Sequence, residues 1–379
     1  VPQRPVSDFQ STTLYLRTPQ GDGYRVFSPF LVPTLDPPES YRCHVGLGYM
    51  RIVSEVHNIR VDATIFVPQG GSQELRDISI TNLGDAPVTL DAIPVVEYSH
   101  PEALKQFNNN DWVPQTMVSR VHAADDGRKV LVQYPFMHRD NRVNIFTTNL
   151  EVSSFESDRE RFLGYGGWAN PDALQHAELG NFEALRGQNI GALLHPLGEL
   201  QPGESRRLIT HLGQYASLAA AQPAIARYRA PAAVDAALAE LKASWETYLD
   251  RMQVETPDAA MNAMLNVHNP RQCYITLNWS RYLSRYQVGL GARGIGMRDS
   301  SQDIMGVVGN TPDEARALLR KLLQVQRKDG SGMHQFYPLT MEANIGDSAE
   351  DEDRLHYYGD DHLWLVLATV ALIKETGNV

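Results

Sequence analysis

The sequence predicts an α+β chain in which a large antiparallel β-sandwich precedes a helical region. Two observations carry this prediction. In the first half apolar residues alternate in short runs between turn signals, whereas in the second half they recur at helical spacing along one face. Ile59, Val61, Ala63, Ile65 and Val67 alternate before Pro68-Gln-Gly-Gly71, which reads as a strand and its turn. Asn82-Leu-Gly-Asp85 then separates Ile78-Ser-Ile80 from Val88-Thr-Leu90, and strands at such spacing suit a sandwich. Gln201-Pro-Gly-Glu204, followed by Leu208-Ile209, reads as one of its last hairpins.

Beyond this point Val234, Ala237, Leu238, Leu241, Trp245, Tyr248, Leu249 and Met252 share one face of a long amphipathic helix. Pro257 breaks it, and further helices are expected at 258–267, 311–326 and 361–375. Thr311 is expected to cap the second of these, with Pro312 at the first helical position and Glu314 closing a capping box. The third starts at Asp360 or Asp361 and stops before Gly377. It is apolar nearly all the way round, so other helices are expected to enclose it. The expected domains are a β-sandwich over 1–215, a helical linker over 216–255 and a helical domain over 256–379.

Composition narrows the functional classes. A net charge of −11 argues against nucleic acid or an anionic membrane as the partner, since either polyanion would be repelled. Two cysteines, Cys43 and Cys273, are too few for a disulfide framework, which suits a reducing compartment and a cytoplasmic address. The longest strongly apolar stretch, Leu363 to Ile373, is too short to span a bilayer. No His-x-x-x-His pair, nucleophile elbow or phosphate-cradling P-loop occurs, so neither a metal site nor those chemistries are expected. The acidic run at 346–353 lacks an EF-hand pattern and reads as a solvated loop.

The chemically richest segment is Gly289-Leu-Gly-Ala-Arg-Gly-Ile-Gly-Met-Arg-Asp-Ser-Ser-Gln-Asp303, with four glycines, two arginines, two aspartates and a glutamine in fifteen positions. It reads as a binding loop. Glycine permits close backbone approach to a ligand, and Arg293, Arg298, Asp299, Gln302 and Asp303 supply the donors and acceptors that grip a hydroxyl-rich sugar.

Gly294-Ile-Gly-Met-Arg-Asp-Ser-Ser-Gln-Asp303, Met305-Gly306, Gly359-Asp-Asp-His-Leu-Trp-Leu-Val366 and Ile373-Lys-Glu-Thr-Gly377 resemble the inverting disaccharide phosphorylases of glycoside hydrolase family 94. Tyr41-Arg-Cys-His-Val-Gly-Leu-Gly-Tyr49, Phe162-Leu-Gly-Tyr-Gly166 and Leu265-Asn-Val-His-Asn-Pro270 extend the resemblance over nearly the whole chain. The family includes cellobiose, cellodextrin, chitobiose and cellobionic acid phosphorylases. The resemblance implies that the helices from 256 onward form the first part of an (α/α)6 barrel.

It further implies that Arg293 and Asp299 bind the hydroxyls of the non-reducing glucosyl unit, with Arg298 and Gln302 as additional candidates. The implied reaction is phosphorolysis of a β-linked glucoside to α-glucose 1-phosphate, with inorganic phosphate as co-substrate and no organic cofactor or metal. Asp303, Asp360 and Asp361 are the local candidates for a general acid, but the family's acid lies in an Ala-Asp-Trp-Asn-Asp-like motif farther downstream, with no counterpart here. A downstream half is therefore expected, in the same polypeptide or in a second chain, and Asp361 reads as a helix cap. The segment 100–115 interrupts the strand pattern with amides, a Trp and two prolines. In the family the sandwich of one subunit reaches the active site of its dimer mate, so Trp112 and Gln115 are expected at the acceptor sugar of a homodimer, with cellobionic acid favoured. Tyr165, Trp168 and Trp279 are expected to pack rather than to stack on sugar. The alternatives are a non-catalytic sugar-binding or regulatory fragment and the phosphorylase-like region of a β-1,2-glucan-processing protein.

Overall fold

The computed structural model describes residues 12–97, 117–135, 142–185, 187, 189–280, 294–337, 341–344 and 358–377. It divides into two compact units between Lys242 and Ala243.

The first unit is a sandwich of two antiparallel sheets. Strands β1 (Thr12–Gln20), β2 (Gly23–Phe27), β7 (Val88–Glu97), β11 (Ser154–Asp158) and β12 (Asn189–Leu200) form a five-stranded sheet in the order β11-β12-β7-β1-β2. Strands β3 (Ser40–Val45), β4 (Tyr49–Val56), β5 (Ile59–Phe66), β6 (Gln73–Asn82), β8 (Met117–Ala123), β9 (Lys129–Pro135), β10 (Val143–Thr148) and β13 (Ser205–Tyr215) form an eight-stranded sheet in the order β3-β4-β5-β6-β13-β10-β9-β8.

Turn chemistry sets the hairpins. His57 and Asn58 both hold positive φ between β4 and β5, the two-residue turn whose twist matches the flanking strands. Pro202-Gly203 joins β12 to β13, with Glu204 N donating to Gln201 O at 2.9 Å. Pairing of these strands places Leu14, Leu16, Leu90, Ala92 and Leu200 opposite Ile59, Val61, Ala63, Ile78, Ile80 and Leu208, all essentially dry. The alternation expected over 59–67 changes phase at its end: Phe66 enters the core, while Ile65 is half-buried and Val67 exposed. Phe66 lies opposite Leu75 of β6, and the strand stops there.

The five-stranded sheet is buried on its outer face as well. Helix α1 (Arg159–Leu163), a 3₁₀ turn (Asp172–Gln175) and Trp168 cover Tyr15, Ile93, Val95, Ile190 and Leu194. The Arg17 guanidinium lies fully buried there, paired with Asp91 at 2.8 Å and donating to the carbonyls of Leu174, His176 and Ala177. An ion this deep is tolerated because its donors are satisfied. Trp168 packs as expected, but Tyr165 is fully exposed and packs against nothing, because Gly164, at φ +53°, turns the chain outward. The Trp279 side chain lies outside the described residues. Helix α2 (Leu218–Tyr228) lays Ala221 and Ile225 on Val130, Val132 and Ile145.

Helix α3 (Pro231–Leu249) leads into the second unit, which is helical. Residues 259–280 form one helical run in which two π segments, Met264–His268 and Thr276–Ser280, interrupt α4 (Ala259–Ala263) and α5 (Asn269–Ile275). Helices α6 (Met297–Val307), α7 (Pro312–Val325) and α8 (Asp361–Thr376) pack around Ile304, Val307, Leu319, Leu322, Leu365 and Leu372. This is the helical portion of the sandwich-plus-barrel fold class predicted. Pro312 does start α7, but no side chain caps it, so the capping box predicted for Thr311 and Glu314 is not formed. Leu363, Val366, Leu367 and Val370 of α8 stay exposed, so the enclosure predicted for this helix is not provided by the described residues. No helix among the described residues is long and apolar enough to cross a membrane.

Candidate functional site

Residues 297–303 are helix rather than loop. The buried positions of α6 are Met297, Ser300, Ser301, Asp303, Ile304 and Val307, a helical stripe that two serines and an aspartate disguise. Two glycines of the run serve packing. A side chain at Gly294 would collide with the Phe336 backbone, because strand β14 (Ile295–Gly296) pairs tightly with β15 (Gln335–Phe336). At Gly296 an added Cβ would lie 2.8 Å from Asp299 Oδ2, so the missing side chain gives the Asp299 carboxylate its place.

Asp299 stands on the first turn of α6, half-buried, where the helix dipole favours a carboxylate. Beside it, Arg298 Nη1 donates to Asp360 Oδ2 at 2.9 Å, and Trp364 Nε1 donates to the same oxygen at 3.2 Å. Arg298 thereby joins the start of α6 to the start of α8. Its guanidinium holds the Asp360 carboxyl below the usual carboxylate range. Gln302 is exposed on α6, and Asp303 next to it is buried. The structure therefore brings Arg298 and Asp299 to one end of two helices, with Gln302 one turn farther along. Arg293, Trp112 and Gln115 lie outside the described residues.

Asp361 is not the cap predicted for it. Asp360 occupies the cap position, without a side-chain bond to the helix backbone, because its carboxylate is engaged by Arg298 and Trp364. Asp361 is the first helical residue, 1% exposed, and its Oδ2 lacks a hydrogen-bond partner among the described residues. Burial pushes its carboxyl upward, opposed by His334, whose Nδ1 faces Oδ2 at 3.6 Å. Sequence reasoning missed His334, which no spacing rule links to Asp361; the two meet because the pairing of β14 with β15 and the packing of Gly332 against the start of α8 bring their segments together.

The starts of α6 and α8 meet at the Arg298–Asp360 pair, where one guanidinium and the carboxylates of Asp299 and Asp360 offer donors and acceptors of the kind a hydroxyl-rich ligand uses. No cluster of three or more metal-ligating side chains occurs among the described residues.

Comparison with known proteins bears on the chain as a whole. Residues 1–231 match the family description "Glycosyl hydrolase 94, supersandwich domain", and residues 244–379 match "Glycosyl hydrolase 94 superfamily, catalytic domain". An N,N'-diacetylchitobiose phosphorylase of Vibrio furnissii is 29% identical over 97% of this chain and 47% of its own length. A cellobionic acid phosphorylase of Neurospora crassa is 24% identical over 93% of this chain and 42% of its own length. The chain thus spans about half the length of the curated relatives it matches. A bacterial glucoamylase complexed with acarbose shares the fold, with a TM-score of 0.56 at 12% identity over 96% of this chain and 50% of that one. With both of its parts matched in order, the chain belongs to glycosyl hydrolase family 94.

Proposed function

We propose that the complete protein is an inverting glycoside phosphorylase, cleaving a β-linked glucosyl disaccharide or oligosaccharide with inorganic phosphate to give α-glucose 1-phosphate and a released sugar. The observation that carries this reading is Asp299, set on the first turn of α6 by the space at Gly296, inside a chain whose two halves match one family. In the reaction, phosphate attacks the anomeric carbon from the face opposite the leaving sugar while one carboxylic acid protonates the glycosidic oxygen. Asp299, with Arg293, holds the glucosyl hydroxyls, and that grip strengthens as the ring flattens toward the transition state. The acid is assigned to a downstream half outside this chain, carried by the same polypeptide or by a second chain. Arg298, paired with Asp360, fixes the helix start that presents Asp299.

The acceptor side is assigned to Trp112 and Gln115, reaching across a homodimer, and cellobionic acid is the acceptor-bearing substrate favoured. The 29% identity to a chitobiose phosphorylase makes N-acetylglucosamine the comparison that any assay must include. The experiment supplies α-glucose 1-phosphate with gluconate, glucose, cellobiose or N-acetylglucosamine and follows phosphate release. Release with gluconate above the others supports the full reading, and release only with another sugar replaces the acceptor. Absence of release with every acceptor and with N-acetylglucosamine 1-phosphate as donor favours a non-catalytic sugar-binding protein. In the same assay Gln115→Ala is expected to raise the acceptor KM more than the KM for α-glucose 1-phosphate.

A further inference from the structure

Beside the Arg298–Asp360 pair, His334 makes a second connection between the two helix starts. Its carbonyl accepts from Met297 N, the first residue of α6, at 3.1 Å, while its ring faces Asp361, the first residue of α8. Tyr358 stacks on the ring with centroids 4.0 Å apart and planes inclined by 23°. The backbone around it has no slack. A side chain at Gly332 would lie 2.9 Å from both Asp361 Cβ and Met297 Sδ, so this segment is wedged between the two helices. The ring is therefore fixed by stacking, by its own main chain and by a buried carboxyl.

Its two edges differ. Nδ1 is buried and turned to the Asp361 carboxyl, yet the side chain as a whole keeps 32% of its exposure. The accessible part is thus the edge away from Nδ1, which carries Nε2. The Asp361 carboxylate, 3.6 Å from Nδ1 and not hydrogen-bonded to it, favours a proton on that edge by charge alone, and with the proton there Nε2 is an acceptor. That acceptor stands at the end of the helices that also carries Arg298, Asp299 and Asp360.

We infer that His334 is a further sugar-binding residue, accepting a hydroxyl proton of the glucosyl unit through Nε2, and that Asp361 and Tyr358 are positioning residues acting through it. The inference rests on the proposed sugar-binding role of this site. A packing histidine would have no use for an oriented, accessible Nε2.

The test uses the complete protein with 15N-labelled histidine, titrated with D-glucose and then with α-glucose 1-phosphate. Saturation-transfer signals on the sugar report binding independently of any histidine. The expected result is that the Nε2 resonance of His334, assigned by its loss in His334→Asn, moves on saturation while Nδ1 stays protonated. Sugar binding without a shift of that resonance overturns the role of His334 and leaves the site reading intact. No sugar binding at all overturns both. Two variants check the assignment functionally, because an Asn amide reproduces the Nδ1 position and a Gln amide the Nε2 position. His334→Asn is expected to lower kcat/KM by about tenfold, the equivalent of one good hydrogen bond, with His334→Gln closer to wild type. Wild-type kinetics in His334→Asn contradict the inference.

Discussion

Asp299 owes its placement to the absence of a side chain three residues earlier, and under the proposed function it is a charged partner for a sugar hydroxyl at a helix start. Asp299→Ala in the complete protein is therefore expected to lower kcat/KM by about 30- to 1000-fold, roughly 2–4 kcal/mol of transition-state stabilisation, with the fold intact by circular dichroism. Wild-type kinetics would remove Asp299 from the site. Asp361 invites a stability measurement instead. Its carboxyl is pushed upward by burial, so the stability it contributes is greatest when it is protonated and is lost as pH rises through its folded-state pKa. Asp361→Asn should then unfold at higher temperature than wild type at pH 7, with the difference shrinking toward pH 4. A variant less stable than wild type at pH 7 would show that the charged form is favoured.

At the scale of elements, the strands were readable and the most important helix was not. Period-two alternation survives in β5 because one face meets the opposing sheet, so Ile59, Val61 and Ala63 reveal the strand directly. Helix α6 hides its period. Its inward stripe spends two positions on Ser300 and Ser301, and Ser301 Oγ is absorbed by a bond to Met297 O at 2.9 Å. With glycines ahead of it and poor helix formers inside it, the segment reads as a loop until β15 and α8 supply the surface it packs on. His334 was illegible for a related reason, since pairing across a two-residue strand leaves no mark in a linear sequence. The sandwich carries a pH dependence of its own. His195 and His211, on β12 and β13, are buried neutral, and burial pulls both down to about 4 from 6.5. Their stabilising contribution is present above pH 6.5 and is lost as pH falls toward 4. Each should cost the sandwich about 2 kcal/mol between pH 7 and pH 5. Denaturant unfolding of wild type and of His195→Asn at both pH values checks this; equal pH dependence in the two proteins would contradict it.

At the scale of the whole molecule, the sequence motifs from Tyr41 to Gly377 identified a family that the matches over 1–231 and 244–379 establish. What they did not reveal is how the recognisable run functions locally: Gly294 serves a strand pair, Gly296 serves Asp299, and Arg298 is engaged with Asp360. Exposed Leu363, Val366, Leu367 and Val370 give α8 an apolar face that a longer helical barrel would cover. Under the proposed function, the complete protein transfers a glucosyl unit to phosphate with inversion. The most direct measurement is proton NMR of the complete protein acting on cellobionic acid in phosphate buffer, recorded before any product equilibrates. Early appearance of α-glucose 1-phosphate is expected, in step with released gluconate and dependent on phosphate. Formation of β-glucose 1-phosphate, or of free glucose at a rate independent of phosphate, would contradict it.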